Sequence, residues 1–243
     1  MKVPQLVAHR GYTRHYPENT LIALEAAIRA GARYIEMDVQ LSADEVPMVF
    51  HDRDLKRICG VDGAIHQYTA EQLKHFKAME FDRFGYRYAS ERIPTLAEFA
   101  QLLARYPEVT AFVELKRVSL THFGISTVLA RVKQELRAVH SRCVLISFDL
   151  EALAAARKDW PVIGVVFDTW RERRQSIVDQ LRPEYLFCDV EGLPHFGSLH
   201  FDNAHVVIYE VDDPAIARKL FKRGVDFVET FAVGEMLAAL GSE

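Results

Sequence analysis

The sequence predicts an α/β fold, a (β/α)8 barrel. Three observations lead there: eight short β-branched runs, amphipathic segments between them, and a length of 243 residues that suits one such barrel. An open doubly wound sheet shares the alternation, and the strand count favours the barrel.

The first strand, residues 5–9, ends in His9-Arg10-Gly11. A helix over 20–30 follows, because Leu21, Leu24 and Ile28 recur at helical spacing, with Asn19 as its N-cap and Gly31 as its stop. The second strand covers 33–40. A further strand-like run, 46–51, begins too soon afterwards for a parallel crossover, so it must fold back through Ala43-Asp44 and set His51 opposite Glu36. Residues 53–91 contain no clean barrel strand and form an insertion. Phe76, Phe81, Phe84, Tyr86 and Tyr88 are expected to make its own small core and bolt it to the barrel. After a helix over 95–105, strands over 110–115, 143–147, 162–167, 185–188, 205–210 and 227–230 alternate with helices over 120–139, 150–158, 171–181, 214–222 and 233–240.

Composition narrows the function. Hydrophobic residues at 49% and charged residues at 26% exclude disorder, and one barrel domain spanning 1–243 buries enough surface to need no staples. A net charge of −4 without a basic block speaks against nucleic acid. Cys59, Cys143 and Cys188 show no CxxC spacing, and Cys143 and Cys188 sit in apolar runs, which suits buried thiols in a reducing, cytoplasmic compartment. The opening residues form too short an apolar stretch for a signal peptide. Nothing later reaches the length of a membrane span, so no stable membrane insertion is expected. The oligomeric state is left open.

Barrel enzymes build their sites at the carboxyl ends of the strands. There the chain offers Glu36 and Asp38 two apart on one face, and Glu114 and Lys116 two apart on another. Charges inside apolar strands are costly unless paired or metal-bound. Three carboxylates at one mouth call for a counterion, and an oxygen-only set selects one hard divalent cation, Mg²⁺ or Ca²⁺. His9 and His51 flank that site and suit general acid and base in a displacement at phosphorus, with Asp52 orienting an imidazole. Arg10 and Lys116 supply fixed positive charge for phosphate oxygens. These types together point to phosphodiester cleavage.

The same residues resemble the glycerophosphodiester phosphodiesterase family. His9-Arg10-Gly11, Pro17-Glu18-Asn19-Thr20, Glu36-x-Asp38, His51-Asp52 and Glu114-x-Lys116 stand in that family's order, as do Ile93-Pro94-Thr95-Leu96 and Ser147-Phe148. The resemblance implies a distorted (β/α)8 TIM barrel with an insertion after the second strand. It also implies metal-dependent hydrolysis of small-molecule glycerophosphodiesters to sn-glycerol 3-phosphate and an alcohol. By matching position it makes Glu36, Asp38 and Glu114 metal ligands, His9 and His51 the acid/base pair, and Arg10 and Lys116 phosphate contacts. The nucleophile is water or the neighbouring glycerol hydroxyl.

The last third departs from the pattern. Tyr209-Glu210-Val211-Asp212 stands where the family commonly has Trp-Thr-Val-Asn, and Thr230-Phe231-Ala232-Val233 where it usually has Thr-Asp-x-Pro. Glu210 brings an extra carboxylate to the mouth, either to meet a cationic headgroup or, as the commoner arrangement, to pair with a Lys or Arg. The rival readings are a lysophospholipid or phosphoinositide phosphodiesterase on the same barrel, and a phosphodiester-binding protein without catalysis. No basic amphipathic helix supports the first, and the intact histidines and carboxylates oppose the second.

Overall fold

A computed structural model describes residues 3–241; Met1 and Lys2, the first two of the opening residues assessed above, lie outside the described residues. Eight parallel strands close into a ring: β1 (Gln5–Ala8), β2 (Tyr34–Leu41), β4 (Thr110–Leu115), β5 (Cys143–Ser147), β6 (Ile163–Phe167), β7 (Tyr185–Asp189), β8 (His205–Tyr209) and β9 (Phe227–Thr230). The ninth strand, β3 (Pro47–Val49), lies outside the ring, antiparallel to β2. The barrel, rather than the open sheet, is the fold.

The length of β2 explains how both partners fit. Its first residues, Tyr34 and Ile35, pair with Val7 and Ala8 of β1 and close the ring. Its last, Val39 to Leu41, pair with Val49 to Pro47 of β3, beyond the point where β1 has ended. Continuing that register sets His51 beside Met37, one residue from the expected Glu36. The hairpin turn runs from Ser42 to Val46, with Glu45 in the left-handed region at φ 60°.

Alternation in the strands divides the core. One set of side chains, including Val7, Phe112, Val144, Val166, Phe187, Val207 and Phe227, fills the barrel interior. The other set, including Ile35, Met37, Val113, Leu145 and Leu186, packs outward against the surrounding helices. At about 25 cal/mol per Å² of apolar surface, this double-sided burial is what holds parallel strands together. Three of the helices start on side-chain caps as follows: Thr95 with Glu98 makes a reciprocal capping box for Leu96–Ala104, and Asp149 and Asp213 cap Leu150–Ala156 and Pro214–Lys222.

Three expectations are corrected. The helix expected over 120–139 is two, Arg117–Phe123 and Ile125–Leu136, because Gly124 at φ 82° ends the first. The segment 171–181 opens as a 3₁₀ turn, Trp170–Arg174, before Ser176–Leu181, with Gln175 extended between them. The insertion's core is mainly aliphatic: Leu55, Ile58, Ile65 and Leu73 pack on Met48, Phe50 and Ile93, with Phe76 at the edge. Phe81 and Tyr86 are exposed against each other, while Tyr88 reaches out of the insertion to donate to the His15 carbonyl.

Candidate active site

Period two that puts aromatics on the barrel floor puts charge directly above it. Phe112 is followed by Glu114, Phe227 by Glu229, Val7 by His9, and Tyr34 by Glu36 and Asp38, with Asp38 and Glu114 side by side in register. Of these, His9, Glu36, Glu114 and Glu229, joined by Arg10, His51 and Lys116, line a cavity of about 140 Å³ at the carboxyl end of the barrel.

The polypeptide leaves β1 through a tight turn. Arg10 is left-handed at φ 55°, a conformation that costs a non-glycine residue of order 1–3 kcal/mol. Gly11 follows at φ 91°, and a Cβ there would lie 2.6 Å from the Ala23 carbonyl carbon of the helix Leu21–Arg29. This turn aims the Arg10 amide at Glu36 Oε2, 3.1 Å away, and its guanidinium at Asp38 (3.3 Å) and Glu18 (3.2 Å).

Glu36, Asp38 and Glu114 bring one carboxylate oxygen each within 4.8 Å of one another. All three are buried. Lys116 Nζ sits 2.8 Å from Glu114 and 3.2 Å from Asp38. Burial pushes the Glu36 carboxyl well above its usual range, and repulsion from Asp38, Glu229 and Glu114 adds to it. Burial likewise raises Glu114 against the pull of Lys116, and raises Glu229 with help from Glu114. Burial opposes ionisation of Asp38 too, yet Lys116 and Arg10 hold its carboxyl far below the ordinary value.

Four buried carboxylates thus face two cations. Glu36 Oε1 has no hydrogen-bond partner among the described residues, and Asp38 Oδ1 has only the ion pair to Lys116. An all-oxygen set short of positive charge, with an orphaned buried acceptor on Glu36, fits a hard divalent cation.

The histidines approach from opposite sides of the β1–β2 junction. His9 directly follows β1, stacked on Phe231 at 4.9 Å, with its ring nitrogens 3.8 Å from Glu36 and 3.7 Å from Glu210. Burial, then Arg10, lower its pKa well below the usual imidazole value, so its ring is neutral at pH 7. His51 follows β3, and its Nδ1 lies 2.8 Å from Asp52 Oδ1. That contact leaves Nε2 as the ring nitrogen available to the cavity. Arg57, from the insertion, grips Asp52 with two hydrogen bonds and Glu18 with two more, all 2.7–2.8 Å. Glu18 also receives Arg10, so one ion network joins both exits of the junction.

Two expectations change here. Asn19 does not cap the helix; Thr20 does, its hydroxyl accepting from the Ala23 amide. Asn19 is left-handed at φ 56°, donates to Asp38 Oδ2 at 2.8 Å and accepts the Asp38 amide at 3.2 Å, so it holds a site carboxylate. Glu210 is half-exposed at the rim, and the basic group beside it, 3.7 Å away, is the His9 ring rather than a lysine or arginine. Asp212 beside it binds Arg14, the Thr230 hydroxyl and the Phe231 amide, fixing the residue that stacks on His9.

The description of the glycerophosphoryl diester phosphodiesterase family matches residues 9–233. The chain belongs to this family. The enzyme is 29% identical to a glycerophosphodiester phosphodiesterase of Caldanaerobacter subterraneus over 235 residues, 93% of each chain. A phosphodiesterase of Oleispira antarctica, solved with the product sn-glycerol 3-phosphate, superposes with a TM-score of 0.83 at 27% identity, covering 99% of this chain and 98% of that one. The glycerophosphodiester phosphodiesterase of Thermotoga maritima gives 0.74 at 25%, with 98% and 99% covered.

Sequence reasoning missed three parts of the enzyme's site. Glu229 carried the same signal as Glu36, a charge inside an apolar strand, in Phe227-Val228-Glu229-Thr230. Arg57 gave none, and Glu18, though it stands in Pro17-Glu18-Asn19-Thr20, gave no sign of its partner, since 39 residues separate the two. The Phe231–His9 stack required the ring to be closed first.

Proposed function

We propose that the enzyme hydrolyses glycerophosphodiesters to sn-glycerol 3-phosphate and an alcohol, using one divalent cation and the His9/His51 pair. One observation carries the reading: two imidazoles and two cationic side chains meet a buried, charge-deficient carboxylate trio in a single small cavity. Glu36, Asp38 and Glu114 would hold the cation. When bound, it supplies Lewis acidity to a non-bridging phosphate oxygen.

This chain's own residues account for the rest. Arg10 and Lys116 line the cavity as donors for the phosphate's anionic oxygens, and their mutual carboxylates keep both fully protonated. His51, steadied through Nδ1 by Asp52 and Arg57, presents Nε2, while His9 stands across the junction with a neutral ring. One imidazole takes a proton from the nucleophile, water or the neighbouring glycerol hydroxyl, and the other, protonated, gives one to the departing alkoxide. By the second route water then opens the cyclic phosphate with the two roles reversed, so that protons balance over the turnover. The aromatic floor and the buried walls keep bulk water from screening these charges. Among the described residues no helix is long and apolar enough to cross a membrane, and the three free, buried thiols support a reducing, cytoplasmic setting for a small-molecule substrate.

The test incubates purified protein with glycerophosphocholine, glycerophosphoethanolamine and glycerophosphoglycerol, each with Mg²⁺, Ca²⁺ or EDTA, and follows glycerol 3-phosphate with a coupled dehydrogenase. Release that EDTA abolishes, and that His9→Ala and His51→Ala each lower by about 10²–10⁴-fold, is the expected result. No release with either metal, or near-normal turnover in both variants, would overturn the proposal.

A further inference from the structure

We infer that Phe231 is a positioning residue for His9. On the phosphodiesterase reading above, its ring, clamped through Asp212, fixes the plane in which the His9 imidazole meets the reacting proton.

The two imidazoles of the site are held by different forces. His51 has a carboxylate on Nδ1, Asp52 at 2.8 Å, and Arg57 steadies that carboxylate in turn. His9 has no such anchor. Its Nδ1 is buried without a hydrogen-bond partner, with Glu210 3.7 Å away, and Glu36 stands 3.8 Å from Nε2. The outer torsion of a histidine side chain is broad, so a ring without hydrogen bonds takes its plane from packing. Phe231 supplies that packing, with ring centroids 4.9 Å apart and planes 13° from parallel. The Tyr209 ring is more distant, at 6.4 Å, and tilted by 50°.

Phe231 can act as a fixed plate because its backbone is held on both sides. Its amide donates to Asp212 Oδ1 at 2.9 Å, and its carbonyl accepts the Arg14 amide at 2.9 Å. Asp212 Oδ1 also accepts the Thr230 hydroxyl at 2.7 Å, while the Arg14 guanidinium holds Oδ2 at 2.9 Å. Ala8 and Thr230 are partners in the β1–β9 ladder, and the His9 amide donates to the Thr230 carbonyl at 3.0 Å. His9 and Phe231 therefore leave the two strands side by side. Only His9 of the pair lines the active cavity. Phe231 instead lines a neighbouring cavity of about 380 Å³, with Arg14, Arg83 and Asp212. It backs the imidazole without facing the substrate, so its loss should lower kcat and spare KM.

Kinetics of the full chain with glycerophosphocholine and saturating Mg²⁺ or Ca²⁺ test this. Phe231→Leu keeps apolar bulk and removes the flat face; Phe231→Tyr keeps the face. We expect Phe231→Leu to lower kcat about 10–100-fold, the scale of a small misplacement of a reacting group, and to change KM less than about twofold. Phe231→Tyr should bring kcat back to within about threefold of the parent. Phe231→Met replaces the leucine variant should that one not fold. Asp212→Ala should lower kcat in the parent and cost nothing further in Phe231→Leu, because both act through one ring. A second readout does not depend on turnover. In the NMR spectrum the carbon-bound ring protons of His9, assigned by their loss in His9→Gln, should carry a ring-current shift that Phe231→Leu abolishes and Phe231→Tyr keeps. Equal kcat in the leucine and tyrosine variants, a loss expressed in KM alone, or a His9 signal that Phe231→Leu leaves in place would overturn the positioning role. A parent without turnover whose His9 signal still depends on Phe231 would overturn the hydrolase reading and leave that role standing.

Discussion

Asn19 offers the sharpest separation between a local and a tertiary role. Its side chain makes two buried contacts with Asp38, donating to the carboxylate at 2.8 Å and accepting the amide at 3.2 Å, and its backbone is left-handed at φ 56°. In Asn19→Ala the lost bond to a charged acceptor is worth about 1.5–3 kcal/mol, and the stranded Asp38 amide about 1 kcal/mol or more. Alanine in the left-handed region costs a further ~1 kcal/mol, where asparagine is tolerated. The sum is about 3–5 kcal/mol. Asn19→Gly loses the same bonds without the steric cost, so it should lie about 1 kcal/mol closer to the parent. Thr20→Ala removes the true cap and should cost about 1 kcal/mol. Urea unfolding at pH 7, with unchanged m-values, gives all three numbers. The reasoning fails if Asn19→Ala costs no more than Thr20→Ala, or if glycine and alanine at position 19 are equally destabilising.

Three further outcomes follow from other parts of the structure. Gly11→Ala, whose Cβ would meet Ala23 backbone at 2.6 Å, should lose at least ~3 kcal/mol in the same unfolding assay and impair turnover; a stable, active variant would mean the β1 exit turn can open freely. Saturating Mg²⁺ or Ca²⁺ at ~100 Kd should add about 2.7 kcal/mol and raise the Tm by about 5–10 °C, a shift that Glu36→Gln should remove. Burial pushes the thiols of Cys59, Cys143 and Cys188 up to about 12. The unfolded chain therefore ionises first as pH rises past ~9, which lowers stability from there to about 12 and leaves it untouched below. At pH 8 the native thiols should resist an aromatic disulfide reagent and react on unfolding; prompt reaction of the native protein would contradict the burial.

The strands were legible because their alternation is a property of neighbouring residues. The runs at 110–115, 143–147 and 227–230 are β4, β5 and β9 at the same bounds, since a parallel strand needs apolar side chains on both faces wherever it sits. Charges placed in such runs advertise themselves, which is why Glu36, Asp38 and Glu114 could be grouped before any coordinates. What stayed hidden depends on the ring's closure. Asn19 and Thr20 are equally good caps by type, and only the approach of Asp38 from β2 decides which one turns inward. Glu210 lacks the expected basic partner because β8 delivers it to His9 instead. The split at Gly124 was written in the sequence, but a glycine within an otherwise periodic segment does not by itself say whether the helix tolerates it or stops.

The closure of the barrel between β1 and β2 rests on two residue pairs, after which β2 turns its edge to β3. The two histidines therefore sit on opposite banks of a seam that main-chain hydrogen bonds do not stitch to the top. The stitching there is done by guanidinium forks: Arg57 clasps Glu18 on one bank and Asp52 on the other, while Arg10 ties Glu18 to Asp38. In mechanical terms the seam behaves as a clasp rather than a weld. Arg57 is half-exposed, so added salt screens its hold on Asp52 and Glu18 and should loosen the seam on whose two banks the imidazoles sit.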